Sequence, residues 1–230
     1  MKVSYIMQSY IKNESKKSFI RSVKSFINQT NKDSELVIVA DGCRLTYDLY
    51  YSNFKKESRI KFIYLDKEDS EIMYSSTSNG TYYRGLPRQV GRSIVTGEIT
   101  AYLDSDDFLL PDATNIIKNN FEEAISLNPS NLWVITSKWI VNKNDKKSIP
   151  MFFNKSKNAF KIKELEGEYV YIYSDEISIV RSSTCTISHL SKCTASWKDT
   201  IDANEDTTFC RMLYSEGDGS VSKIPYYVIC

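Results

Sequence analysis

Ile99-Thr100-Ala101-Tyr102-Leu103-Asp104-Ser105-Asp106-Asp107 decides how this chain is read. The first five residues form a short, mostly apolar run with strand character, and three carboxylates follow within the next four positions. A strand thus emerges from the core and delivers concentrated negative charge at its carboxyl end. Carboxylates this close together repel, so they spread into water, share protons, or hold a hard cation such as Mg2+ or Mn2+ through oxygen ligands. The plainer alternative is a turn and a helix start. Asp107 can begin the turn, and Asp112 follows Pro111 where a helix would open and a carboxylate favours the free amides.

Upstream of this stretch, short apolar runs alternate with helical periodicities, the pattern of βαβ units and a mainly parallel sheet. Val3 to Met7 reads as the first strand, and Phe19, Ile20, Val23, Phe26 and Ile27 then recur at helical spacing. Leu36-Val37-Ile38-Val39-Ala40 reads as a buried strand ending at Asp41-Gly42, whose simplest role is a turn. A helix is expected from Tyr47 through Phe54 and a third strand from Ile60 to Leu65. Asp66 to Gly85 is polar and irregular and reads as a long surface loop. Leu86-Pro87 opens a further helix that Thr96-Gly97 ends, delivering the chain into the Ile99 strand.

Downstream, the spacing predicts a helix from Pro111 to about Leu127 and a strand from Leu132 to Val141. The pattern then weakens. Lys143 to Lys163 is basic and Asn-rich and reads as an excursion or flexible connection. A strand at Tyr169–Tyr173, a helix at Thr207–Tyr214 and a closing strand at Ser222–Ile229 complete the expectation.

Composition bounds the function. A chain of 230 residues with 41% hydrophobic and 26% charged residues can bury one substantial core, and its formal net charge of +1 gives no global attraction to nucleic acid or to an acidic membrane. No run approaches the roughly 20 apolar residues a spanning helix needs, and the first residues lead into a strand rather than a signal peptide, so a cytoplasmic location is expected. Cys43, Cys185, Cys193, Cys210 and Cys230 are widely spaced without a CxxC pair, which argues for reduced thiols over a disulfide framework or a structural zinc site. With His189 as the single histidine, a Ser-His-Asp hydrolase or a histidine metal site has little support.

Ligands of open α/β sheets bind outside the carboxyl ends of the strands, so Asp41 and Asp104 to Asp107 are expected to face one crevice. One end can bond a base or ribose through its acceptor oxygens, and the other can bridge a divalent ion to a diphosphate.

These blocks, taken in order, resemble the family 2 glycosyltransferases. The matching segments are Val3-Ser4-Tyr5-Ile6-Met7-Gln8-Ser9-Tyr10, Ser25-Phe26-Ile27-Asn28-Gln29-Thr30 and Glu35 to Gly42, then Arg88-Gln89-Val90-Gly91-Arg92, Gly97-Glu98 and Tyr102 to Asp107. The resemblance covers residues 1 to about 127 and implies a single α/β domain of the GT-A type, Rossmann-like, with a mainly parallel mixed sheet flanked by helices. Residues 1–127 would be the nucleotide-sugar half and 128–230 the acceptor half. It further implies that Asp41 recognises the nucleoside of the donor, uridine by analogy, and that Arg88 meets its nucleotide or phosphate portion. Gln8, Tyr10 and Ser105 would line the same donor site. Asp104 and Asp106 would occupy the DxD positions on the ribose and metal side, with Asp107 an alternative ligand for Mn2+ or Mg2+.

Asn204-Glu205-Asp206-Thr207-Thr208-Phe209-Cys210-Arg211 resembles the same family's ED motif and its trailing arginine. By that likeness Asp206, or alternatively Glu205, takes the proton of the acceptor hydroxyl in an inverting transfer. Capping of a helix start uses the same residue types without catalysis. Arg211 would pair with phosphate or with Glu205 or Asp206. His189 could line the acceptor cleft, although a packed histidine is the plainer reading, and Trp197 could stack on an acceptor sugar in place of the usual core role.

Two departures from the family stand out: Ala40 replaces an acidic residue and Cys43 a serine around Asp41. The chain carries no processive synthase's membrane helices, which favours transfer of one sugar per event to a glycan, lipid-linked glycan or protein acceptor. Rival expectations are a silent sugar-nucleotide binding module and a sugar nucleotidyltransferase. The latter is weakened because Gln8 to Ser15 holds no glycine for a phosphate loop.

Overall fold

A computed structural model describes residues 1–66, 85–136, 139–141, 159–165, 168–173, 187–197, 205–222 and 227–229. Its organising element is β2 (Ser34–Asp41), in which every residue is buried. Leu36 and Ile38 join one core with Phe19, Val23 and Phe26 of α1 (Lys16–Ile27). Val37 and Val39 pack on the opposite face with Leu65 against Leu86, Val90 and Ile94 of α3 (Gly85–Ile94). Both faces of the strand are covered, which is why its sequence is a continuous apolar run rather than an alternating one.

β2 pairs in parallel with β1 (Val3–Ser9) on one side and with β3 (Ile60–Leu65) on the other. α2 (Arg44–Asn53) joins β2 to β3, and β1 pairs in parallel with β4 (Ile99–Tyr102). β5 (Phe108–Leu109) and α4 (Ala113–Leu127) follow, then β6 (Asn131–Thr136), β7 (Trp139–Val141), β8 (Ala159–Leu165), β9 (Glu168–Tyr173) and β10 (Ile187–Leu190). The chain closes with α5 (Glu205–Glu216), β11 (Asp218–Ser222) and β12 (Tyr227–Ile229).

The main sheet runs β11-β6-β10-β4-β1-β2-β3, with β10 antiparallel to both its neighbours and every other pairing parallel. A five-stranded second sheet runs β5-β12-β7-β9-β8. The expected α/β architecture, a mainly parallel mixed sheet flanked by helices, is what this chain forms.

Several element expectations are corrected. The single strand expected over Leu132–Val141 is two, β6 and β7, which belong to different sheets. The closing strand likewise divides into β11 and β12. Residues 159–163, read as the end of an excursion, lie in β8, which pairs antiparallel with β9. β10 has no counterpart in the sequence reading, because four residues carry little periodicity and their strand character comes from pairing with β4 and β6. Much of the expected loop from Asp66 to Gly85 lies outside the described residues.

The strand order β3-β2-β1-β4 reverses direction of winding at β1, which is where α/β sheets open a crevice at their carboxyl ends. Register fixes what stands there. Ser9 pairs with Ala40, so Asp41 follows one residue beyond the end of β1. Ile6 pairs with Tyr102, and Leu103 N–H donates to Ile6 C=O at 3.0 Å, so Asp104 leaves the sheet about level with Gln8, near the end of β1.

Candidate active site

Asp41 is buried at the end of β2, and Gly42 behind it has φ 61°, a left-handed conformation that glycine adopts without steric cost. The chain reverses there, with Gly42 N–H donating to Ala40 C=O at 3.1 Å and Leu65 C=O at 3.0 Å. The end of β1 is tied to the same corner. Ser9 and Thr46 hydroxyls meet at 3.0 Å, and the Cys43 sulfur both accepts from Ile11 N–H and donates to Ile11 C=O, each at 3.4 Å. Cys43 therefore does a hydrogen-bonding job that a serine hydroxyl would also do. Gln8 contributes a buried Oε1 with no hydrogen-bond partner among the described residues, and Tyr10 is exposed. A buried acceptor atom without a partner costs free energy unless a ligand supplies the donor.

The acidic run leaves β4 in a turn in which Asp107 N–H donates to Asp104 C=O at 3.3 Å. Asp104 and Ser105 are half-buried, Asp106 is exposed and Asp107 is buried. The backbone of this loop is held from outside by α1, a feature the sequence reading missed. Ser22 Oγ donates to Asp104 C=O at 3.0 Å and Arg21 Nη2 to Asp106 C=O at 3.0 Å. Ser25 Oγ accepts Leu109 N–H at 2.9 Å, and Gln29 Nε2 donates to Leu110 C=O at 2.7 Å. The available signal was a polar set at 21, 22 and 25, on the helix that carries the apolar stripe of Phe19, Val23 and Phe26, with Gln29 just beyond its end.

Among the described residues no three His, Cys, Asp or Glu side chains gather into a ready metal site. That arrangement still fits Mg2+ or Mn2+ of the kind held by one or two carboxylates plus substrate phosphates, for which Asp104 and Asp106 are the accessible donors. Asp107 is turned into the protein.

Arg88 connects this loop to the second acidic motif. α3 lies so close over β1 that a Cβ on Gly91 would come within 2.6 Å of Ile6 Cγ2, and this close seat carries Arg88, one turn earlier, over the crevice. Its guanidinium is 9% exposed and lies 3.4 Å from Asp104 Oδ1, 3.4 Å from Asp206 Oδ1 and 3.6 Å from Glu205 Oε1. Arg88 is thus a buried ion-pair hub. Glu205 and Asp206 open α5, where carboxylates also favour the positive end of the helix dipole. Of the two, Asp206 is the more accessible, at 33% against 10% for Glu205. Arg211 is exposed, and among the described residues Arg88 pairs with both Glu205 and Asp206.

Beneath the hub lies a buried aromatic stack. Trp197 is fully buried and stacks on Phe209 of α5 with ring centroids 4.0 Å apart, and the Arg88 guanidinium sits 5.0 Å from the Trp197 ring centroid. Trp197 is therefore a core residue, and the sugar-stacking role considered for it is corrected. Its indole N–H donates to the Tyr102 hydroxyl at 3.0 Å, which lies 3.0 Å from His189 Nε2. His189 Nδ1 meets Leu190 C=O at 2.9 Å, so Nδ1 carries the proton and Nε2 accepts from Tyr102. Burial, and then the charge of Arg92, push His189 down to about 3, which keeps it neutral. The acceptor-lining alternative for His189 fails, since it is wholly buried.

Arg92 and Gln89 of α3 fasten the segment that carries Trp197. Arg92 donates to the carbonyls of Cys193 and Ala195, and Gln89 Oε1 accepts Trp197 N–H at 3.0 Å. Cys43, Cys193 and Cys210 are free and buried; burial holds the Cys193 thiol near 11 and the Cys210 thiol near 12, so both stay protonated.

No family model matches the chain. Over 109 residues it is 34% identical to an uncharacterized glycosyltransferase of Methanocaldococcus jannaschii, an alignment covering 47% of this chain and 33% of that protein. In structure it is similar to TarS 1–349 of S. aureus, with TM-score 0.62 and 20% identity over 99% of this chain and 60% of that one. The same S. aureus protein in complex with UDP-GlcNAc gives TM-score 0.64 at 20% identity over 100% of this chain and 58% of that one. The chain therefore shares the fold of S. aureus TarS 1–349. The chain spans about a third of the length of the curated relative it matches. Among the described residues no helix is long and apolar enough to cross a membrane.

Proposed function

We propose that this chain transfers a single sugar from a nucleotide-diphosphate sugar, UDP-linked, to an acceptor hydroxyl with inversion at the anomeric carbon. The observation that carries this reading is Arg88, which draws Asp104 of the first acidic motif and Glu205 and Asp206 of the second into one charge cluster. Two carboxylate groups with different tasks then border one crevice. The complexes of the structural neighbour with UDP-GlcNAc and with UDP support the choice of nucleotide.

Asp41 receives the nucleobase, with Gln8, Tyr10 and Ser105 around it, and Arg88 faces the diphosphate. Asp104 and Asp106 hold Mg2+ or Mn2+, which supplies Lewis-acid stabilisation of the departing diphosphate when bound. Asp206 accepts the acceptor's hydroxyl proton as the new C–O bond forms, and the bonding pair of the old anomeric C–O bond leaves with the nucleoside diphosphate. The accessibility of Asp206 favours it over Glu205 as base, since a base must reach its substrate. Residues 128–230 would supply the acceptor side, for a glycan, lipid-linked glycan or protein, and the reaction would run in the cytoplasm.

A thermal-shift screen of UDP and UDP-sugars with and without Mn2+ tests the donor site, because ligands that bind only the folded state raise its midpoint. UDP release from the responding sugar, followed by chromatography, tests turnover. A midpoint unmoved by UDP and by every UDP-sugar, with or without Mn2+, sinks the reading.

A further inference from the structure

The acidic loop is fastened to the fold by side chains of α1 and by Gln29 just beyond it, and that attachment has a consequence for binding. Ser22 is fully buried, and its hydroxyl proton is committed to Asp104 C=O at 3.0 Å. Ser25 Oγ donates within the helix to Ser22 C=O at 2.6 Å and accepts Leu109 N–H at 2.9 Å, so its two roles are filled in one geometry. Arg21 adds Nη2 to Asp106 C=O at 3.0 Å while its guanidinium lies 4.7 Å from the Phe108 ring centroid. Gln29, also fully buried, closes the far end, donating to Leu110 C=O at 2.7 Å and accepting Thr114 N–H at 3.0 Å.

The bonds from Arg21, Ser22, Ser25 and Gln29 to this segment all go to backbone atoms of 104–114. The loop is thereby fixed through its main chain, while Asp104 Oδ1 meets Arg88 at 3.4 Å. Backbone anchoring of this kind fixes a side chain's origin, which is what preorganisation of a binding group requires.

We propose that Ser22 and Ser25 of α1 are positioning residues for the diphosphate end of the donor, setting the loop Asp104–Leu109 in its binding geometry. This rests on the donor-site reading above. The nucleoside end is anchored separately, by the Ser9–Thr46 and Cys43–Ile11 ties at the ends of β1 and β2. Loss of the two serines should therefore weaken ligands that carry a diphosphate and spare those that do not.

The test is titration calorimetry of UDP and of uridine, each with Mn2+, against the wild type, Ser22→Ala, Ser22→Ala/Ser25→Ala and Ser22→Thr. Amide hydrogen exchange over residues 104–109 and the thermal midpoint are recorded alongside. The expected result is a Kd for UDP raised about tenfold or more in the double variant, with uridine affinity unchanged. Exchange in the acidic loop should quicken, and Ser22→Thr, which keeps the hydroxyl, should restore wild-type UDP affinity. Uridine and UDP weakening in parallel, or UDP affinity untouched in the double variant, overturns the proposal. Should the wild type bind neither ligand, the donor-site reading itself is wrong and the proposal goes with it. The uridine arm separates these failures.

Discussion

Arg88 Nη1 lies 3.4 Å from Asp206 Oδ1, joining the helix that crosses over β1 to the helix that opens on the acidic pair. With Asp104 at 3.4 Å and Glu205 at 3.6 Å on the same guanidinium, three carboxylates depend on one buried cation. Removing it takes a buried cationic partner from all three, so Arg88→Ala should cost about 3–5 kcal/mol in stability. Arg88→Lys keeps the charge but loses the planar fork, which cannot serve carboxylates on two sides from a single ammonium. We expect the lysine variant to fold and to lose at least about tenfold in affinity for UDP, read by denaturant unfolding and by calorimetry.

Asp206→Asn and Glu205→Gln should separate proton transfer from ion pairing. An amide at 206 cannot take a proton, and loss of a positioned base lowers turnover by about 100-fold to 10,000-fold. UDP binding should stay within about threefold, because the proposed base meets the acceptor hydroxyl and not the nucleotide. Glu205, being the more buried of the two, should act mainly on stability when changed, with a smaller effect on turnover. Steady-state UDP release and melting curves on the two variants check this, and equal turnover losses would assign no distinct role to Asp206.

Much of the first half of the chain was legible because its determinants are local. The run Leu36–Ala40 announced a strand covered on both faces, and Asp41 and Asp104 followed from where apolar runs stop. The helix periodicity placed Arg88 but not its burial, which depends on α5 arriving from far along the chain. β10 was missed for the same kind of reason: Ile187 to Leu190 become a strand only between β4 and β6. The division of Leu132–Val141 between two sheets is likewise decided by partners, not by the run itself. Ser22 and Ser25 look like ordinary helix-surface serines until the acidic loop lies across them.

At the amino-terminal end of the sheet, opposite the crevice, Glu35 forms a buried network. Its carboxylate is 2.9 Å from Lys61 Nζ and 3.4 Å from Lys2 Nζ, and it accepts from Ser4 Oγ at 2.7 Å and Thr96 N–H at 2.5 Å. Burial alone would raise this carboxyl, yet the bonds from Lys61, Ser4 and Thr96 outweigh it and draw it down to about 2. Glu35→Gln should therefore lose on the order of 2–3 kcal/mol at neutral pH, leaving Lys61 short of its partner. Urea unfolding at pH 7 measures it, and UDP affinity, which depends on the other end of the strands, should be unaffected.

His189 and Glu35 should also shape the acid limb of stability in separable windows. Both have folded values below their ordinary ones, His189 at about 3 against 6.5 and Glu35 at about 2 against 4.5. In each case the unfolded chain binds a proton that the folded chain refuses, so stability is full above the ordinary value and falls as the pH drops toward the folded one. The His189 loss begins near pH 6.5 and the Glu35 loss only near 4.5, each with a limiting slope of about 1.4 kcal/mol per pH unit. Between pH 6.5 and 4.5 the unfolding free energy should thus decline chiefly through His189. His189→Gln removes the titrating group while leaving an amide that can still accept from Tyr102, and it should flatten that window without altering the steeper fall below it. Urea titrations at half-unit steps read the slope directly, and a variant that declines as steeply as the wild type above pH 4.5 would show that His189 is not the group refusing the proton.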